Sequence, residues 1–110
     1  MKMRLHPEPF NDIKSGLKTT EMRLLDEKRE ELNIGDEITF ISRETAEELI
    51  AEVKDLKAYK DFAEIYDIEK ALIDKYAKWD RQEFIDSFDE YYSEKLKEGY
   101  KALSIHFELV

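Results

Sequence analysis

The segment SGLKTTEMRLLDEKR, residues 15–29, leaves a glycine at position 16 and runs into alternating sequence. Thr19, Thr20, Met22, Leu24 and Leu25 give it the β-branched and apolar content of a strand that follows a turn. Side chains two apart on a strand share a face, so Glu21 and Arg23 project together while Thr20, Met22 and Leu24 point the other way. By strict counting Lys18 falls on the Met22 face. It stands at the first position of the strand, however, two residues past Gly16, where a turn or bulge and its own long stem can re-aim it. A lysine, a glutamate and an arginine are thereby set on one structured element.

Upstream, Met3 and Leu5 alternate with Lys2, Arg4 and His6, the pattern of a half-buried strand, and Pro7 and Pro9 end it because neither can donate to a ladder. Phe10, Ile13 and Lys14 have helical spacing with Gly16 as a stop, which predicts a short helix over 9–15 linking the first two strands. His6, next to a turn and without a second histidine nearby, reads as structural or exposed rather than catalytic. Downstream, residues 26–32 read as a charged turn or a single helical turn, and Asn33-Ile34-Gly35-Asp36 as a tight turn before a strand over 37–42. A loop or hairpin connection over 43–48 comes next. Leu49, Ala51 and Val53 lie on one phase and Leu56 and Ala58 on the other, which predicts a long strand with a bulge near Lys54 and Asp55. A helix is the rival reading, because the same residues include good helix formers at helical spacing.

The next forty residues read as helical: a short stretch over 61–66, then two capped helices. Asp67 caps one that carries Ile68, Leu72, Tyr76 and Trp79, and Asp80 with Glu83 forms a capping box for a second that carries Phe84, Phe88, Tyr91, Tyr92 and Leu96 up to Gly99. These aromatics have the spacing of a packed face, although such rings also stack bases. The final strand, 100–110, places Leu103, Ile105, Phe107 and Leu109 in the core. Ala102, Ser104, His106 and Glu108 fall on its other face, outside the wall or in a cleft, and this strand is expected to close the sheet.

Composition narrows the functional classes. With 42% hydrophobic and 41% charged residues in 110, one folded unit spanning 1–110 has room to bury about two-thirds of its unfolded surface. No apolar run approaches the roughly 18 residues needed to cross a membrane, and the first ten residues lack the apolar core of a signal peptide, so a cytoplasmic location and no membrane partner are expected. The absence of cysteine excludes disulfides, thiol catalysis and thiolate metal sites. Two separated histidines give no recognisable metal cluster, so neither a metal nor another cofactor is expected. A net charge of -9 argues against nonspecific binding to duplex DNA. Residues 1–29 nevertheless hold seven Lys or Arg against five acids, a locally basic region on an acidic body. Such a region selects a small anionic or nucleotide ligand while the body repels bulk polyanion.

GLKTTEMR, residues 16–23, fits the GxKxxExR signature of the ASCH (activating signal cointegrator homology) family, and LHPEPFNDIKSG ahead of it and LLDEKREELNIGDEITF behind it are similar to bacterial members. The resemblance covers residues 5–40, and the order of elements in the rest of the chain agrees with it. It implies an α+β fold: a small β-barrel of the PUA-like kind, with about five to six mostly antiparallel strands, a short helix between the first two strands and a helical insert before the last. It also favours strand over helix for 49–59. Where related chains usually read Tyr-Gly before the last strand, this one reads Gly99-Tyr100.

For activity the resemblance points two ways. One branch of the family hydrolyses N4-acetylcytidine with the signature lysine, a threonine three positions after it and a distant glutamate. Here Lys18 matches the lysine, but Glu21 occupies the threonine position, Thr20 stands one residue early on the opposite face, and no distant glutamate can be matched. The leading expectation is therefore a module that binds RNA or a nucleotide-like small molecule in a polar cleft. Lys18, Glu21 and Arg23 line that cleft, with Tyr92, Ser104 and His106 as further candidates. The rival is a small hydrolase acting on a modified nucleoside, in which Glu21 activates water and Lys18 stabilises an oxyanion.

Overall fold

A computed structural model describes the backbone of all 110 residues and every side chain except those of Ser93 and Lys97. The element order is β1 (Lys2–Leu5), α1 (Pro7–Lys14), β2 (Thr20–Leu25), α2 (Glu27–Glu30), β3 (Glu37–Ser42), β4 (Glu48–Tyr59), α3 (Phe62–Ile73), α4 (Arg81–Lys97) and β5 (Lys101–Leu109). The strands form one curled sheet in the order β1-β3-β4-β5-β2, with β1 parallel to β3 and the other neighbours antiparallel. The fold is thus α+β and of the half-barrel, PUA-like kind. One expectation is corrected: β5 does not close the sheet but lies inside it, between β4 and β2. The edges are β1 and β2, and among the described pairings no ladder joins them.

Local chemistry explains most of the boundaries. α1 begins at Pro7, two residues earlier than its apolar spacing predicts, because a proline in the first helical turn loses no hydrogen bond and is already set at a helical φ. Gly35 has φ +94, a conformation open to glycine in the turn that launches β3, and its N–H donates to the Val53 carbonyl. The register between β4 and β5 shifts between Val53 and Asp55, so the phase change in 49–59 is a bulge within a strand and not a helix.

The inner face of the sheet packs Met3, Leu5, Ile38, Phe40, Val53, Leu103, Ile105 and Phe107 against Phe10 and Ile13 of α1. Each fully buried large side chain here contributes about 1.5–3 kcal/mol over an exposed one. The outer face of β2 and β5 is buried as well, because Met22, Leu24, Ala102 and Tyr59 pack under Phe62, Ile65, Tyr66, Ile73 and Phe84 from α3 and α4. The helical insert therefore acts as a second layer, and β5 is covered on both sides.

The cap of α3 is Asp61, whose carboxylate accepts from the Glu64 N–H, and not Asp67. Asp67 instead holds Arg81 through two contacts of 2.8 and 3.1 Å, tying α3 to the start of α4. Ile68 is exposed and α3 stops at Ile73, so Tyr76 and Trp79 lie in the α3–α4 loop. Asp80 caps α4 by accepting from the Glu83 N–H at 2.9 Å, the N-cap half of the expected box. Asp80→Ala is expected to cost about 1 kcal/mol in urea unfolding. A loss no larger than that of the exposed Glu90→Ala control would mean that packing alone sets this helix start.

Candidate functional site

A cleft of about 600 Å³ lies at the open seam of the half-barrel. Both edge strands border it, through Arg4 and Leu5 on β1 and Glu21 to Arg23 on β2, and the helical insert walls it with Tyr76, Trp79, Phe88, Tyr91 and Tyr92. The barrel's failure to close by a ladder is what leaves room for this cleft.

Its floor is an ion triplet. Lys18 precedes β2 and escapes the strand's alternation, so its stem turns inward: Lys18 Nζ lies 3.4 Å from Glu21 Oε1 and 4.9 Å from the centroid of the Tyr76 ring. Arg23 Nη2 lies 3.5 Å from Glu21 Oε2. Glu21 Oε1 also accepts from the Met22 N–H at 3.0 Å. That amide belongs to an edge strand and makes no ladder bond, so the carboxylate satisfies a donor that the fold leaves over. Burial favours the neutral acid of Glu21, but the Lys18 and Arg23 charges and the two donated hydrogen bonds outweigh it and hold its pKa below the usual carboxylate value. Burial also works against the Arg23 charge, and Glu21 and then Tyr92 more than offset it. Desolvation first, and then the Glu21 charge, push the Tyr76 phenol up.

Above this floor the aromatics divide. Phe88 stacks on Phe62 with ring centroids 4.0 Å apart, and Tyr92 follows at 6.0 Å from the same ring, so both are packed. Trp79 and Tyr91 are 39% and 71% exposed. The loop bearing Trp79 is pinned by the Tyr66 hydroxyl, which donates to the Trp79 carbonyl at 2.9 Å. The helical stripe thus serves both packing and the cleft wall.

Lys18, Glu21, Arg23 and Tyr92 all border the cleft, and His6 does too. Ser104 and His106 do not border it. They pair in register with Met22 and Thr20 and so face the outer layer. Ser104 is 0% exposed there. Its hydroxyl donates to Glu69 Oε1 at 2.8 Å, Tyr59 donates to Glu69 Oε2 at 2.6 Å, and His106 Nε2 lies 3.3 Å from Glu69 Oε1. Burial raises the acid's pKa, but the hydrogen bonds from His106, Tyr59 and Ser104 bring it below the usual value. Backbone geometry departs from helical at Glu69, inside α3, where this carboxylate turns toward the sheet.

Sequence reasoning missed Arg4, Arg43, Lys78 and Glu69. Arg4 and Arg43 reach the cleft through the curl of the sheet, and Lys78 through the α3–α4 loop. Glu69 left a trace, since it continues the buried stripe Phe62, Ile65, Tyr66 and Ile73, an acid at an apolar phase. No group of three or more His, Cys, Asp or Glu among the described residues is placed to hold a metal ion. No described helix is long and apolar enough to cross a membrane.

The ASCH domain family model matches residues 3–110. The chain belongs to the ASCH family. Its fold is similar to the crystal structure of the hypothetical protein PH0355, with 29% identity, a TM-score of 0.84, and 99% of this chain and 97% of that one covered. Protein PF0455 from Pyrococcus furiosus, solved by NMR, is 24% identical with a TM-score of 0.69, covering 100% of this chain and 98% of the other. The S128A mutant of ZmASCH from Zymomonas mobilis shares the fold at 17% identity and a TM-score of 0.67, with 97% of this ASCH chain and 66% of that protein aligned. No curated protein matches the chain.

Proposed function

We propose that this ASCH protein binds RNA or a nucleotide-like small molecule in the seam cleft, with Lys18, Glu21 and Arg23 contacting the ligand and Tyr92 beside them. The observation that carries the reading is the union, in one cleft, of a buried cation–carboxylate–cation floor with an aromatic wall. A base edge offers N–H donors to Glu21, its face stacks on a ring, and the cations supply donors to its carbonyl or to a phosphate. The unit is taken to be one domain, 1–110, acting in the cytoplasm.

The hydrolase reading is less well supported. Glu21 is doubly ion-paired and its pKa is lowered, whereas a general base works best with a pKa near the operating pH. Glu69, the buried glutamate of the second half, does not border the cleft.

The deciding experiment titrates the protein with ribonucleosides, short single-stranded RNA and a panel of N-acylated nucleosides, including N4-acetylcytidine, while monitoring acid release. Binding without release is expected. Lys18→Ala should weaken it by about ten- to a hundredfold, the value of one charged hydrogen bond, with circular dichroism confirming the fold. Acid release that Glu21→Gln abolishes would replace this reading with the hydrolytic one.

A further inference from the structure

The floor residues neutralise one another in part, but the rim does not. Arg4 on β1, Arg43 just past β3 and Lys78 in the α3–α4 loop all border the cleft and are exposed. Among the described residues none of the three has a carboxylate within ion-pairing distance. Across the whole lining, five Lys or Arg face three carboxylates, Glu8, Asp12 and Glu21, so the cleft holds two surplus positive charges on a chain of net charge -9. Two of the rim cations stand on rigid backbone. Arg4 is in the parallel β1–β3 ladder opposite Ile41, and the Arg43 N–H donates to the Leu5 carbonyl at 2.9 Å. The exposed Trp79 and Tyr91 border the same cleft.

We infer that the cleft takes a phosphorylated nucleoside unit and not a free nucleoside, with the phosphate at Arg4 and Arg43 and the base against Trp79 or Tyr91. This deepens the binding reading above and rests on it. A phosphomonoester carries about -1.5 to -2 charges at neutral pH, and two successive phosphodiester links carry a similar charge. Either neutralises the surplus, which an uncharged nucleoside leaves unmatched. Guanidinium groups offer planar paired donors that fit phosphate oxygens, and an indole or phenol face stacks on any base. The acidic remainder of the surface keeps longer polyanions off everything except this cleft. Terminal and linking phosphates share this chemistry.

Trp79 is the sole tryptophan, so quenching of its fluorescence reports occupancy of the cleft directly. The probes are the common ribonucleosides, their 5′-monophosphates and base-matched short single-stranded oligoribonucleotides, in about 0.1 M salt, where the Debye length is about 10 Å. A phosphorylated probe should bind at least about tenfold more tightly than its nucleoside, and the advantage should shrink as salt rises. In Arg4→Ala/Arg43→Ala the ratio of the two affinities should fall toward unity. A monophosphate matching the oligonucleotide points to a terminal phosphate, and a further gain for the oligonucleotide points to linking phosphates; either supports the inference. Equal affinity for nucleoside and nucleotide in the wild type, or a ratio that survives the double substitution, overturns the phosphate site and leaves the cleft reading standing. Absence of binding by every probe, read by fluorescence and by calorimetry, overturns the cleft reading itself.

Discussion

Glu21→Ala is expected to lower the unfolding free energy by about 3–5 kcal/mol, because it strands a buried ammonium group. Lys18 is only 8% exposed, and its described partners are the Glu21 carboxylate and the face of Tyr76. The ring offers less to a cation than a carboxylate does, and the free Met22 N–H loses its acceptor in the same step. Arg23 is less deeply placed and can turn toward water, so it adds little to the loss. The double replacement Lys18→Met/Glu21→Leu should recover most of the stability, since an apolar pair of similar volume commonly does as well as a buried ion pair or better. It should not recover ligand binding. Urea denaturation of the wild type and both variants, paired with Trp79 fluorescence titration, checks both halves. A loss under about 1 kcal/mol in Glu21→Ala would place this pair with ordinary surface ion pairs. A double variant that still binds would remove Lys18 and Glu21 from the recognition chemistry. If both expectations hold, the floor of the cleft is retained for what it binds and not for how it stabilises the sheet.

What could be read in the chain beforehand was what depends on near neighbours. The alternation around Met22 and Leu24, the Gly35 turn, the phase change at residues 53–55 and the Asp80 cap are settled by residues within a few positions of one another, and each is found in the structure. The cap assigned to Asp67 was less decidable, because Asp61 is an equally good cap residue and packing of Phe62 and Ile65 carries the helix back to it. Period two assigned Ser104 and His106 to the face opposite Ile105, but it says nothing about what covers that face. The covering layer comes from a different part of the chain: Glu69 of α3 engages both, Ser104 is fully buried and His106 is half-buried. For the same reason the signature trio was legible as a polar group on one strand, whereas its surroundings were not. Arg4 and Arg43 meet it across the seam between β1 and β2, a juxtaposition made by sheet order, and Trp79 is brought there by the α3–α4 loop.

Glu69→Ala should cost a further comparable amount, about 3–5 kcal/mol, from the other layer of the molecule. Glu69 is 5% exposed and receives the Tyr59 and Ser104 hydroxyls and the His106 ring on one carboxylate. Truncation removes the acceptor from two buried hydroxyls, one of them fully enclosed, and leaves a cavity beneath the break in α3. Glu69→Gln separates charge from shape, because the amide fills the same space and still accepts at one oxygen. Its consequence appears in the pH dependence. The folded-state pKa of Glu69 is lowered from 4.5, so its ionised form contributes stability that is present above the unfolded-state value and lost as pH falls through the folded-state value. Glu21 is shifted in the same direction and acts in the same window. Wild-type stability should therefore decline below about pH 4.5, with each such carboxylate adding a slope of up to about 1.4 kcal/mol per pH unit. Glu69→Gln should be less stable near neutrality yet lose stability more gently in acid, so the two curves converge as pH falls. Urea midpoints collected from neutral pH into the acid range test this. Parallel curves would show that the carboxylate charge contributes nothing and that its hydrogen-bonding shape alone holds α3 to β5.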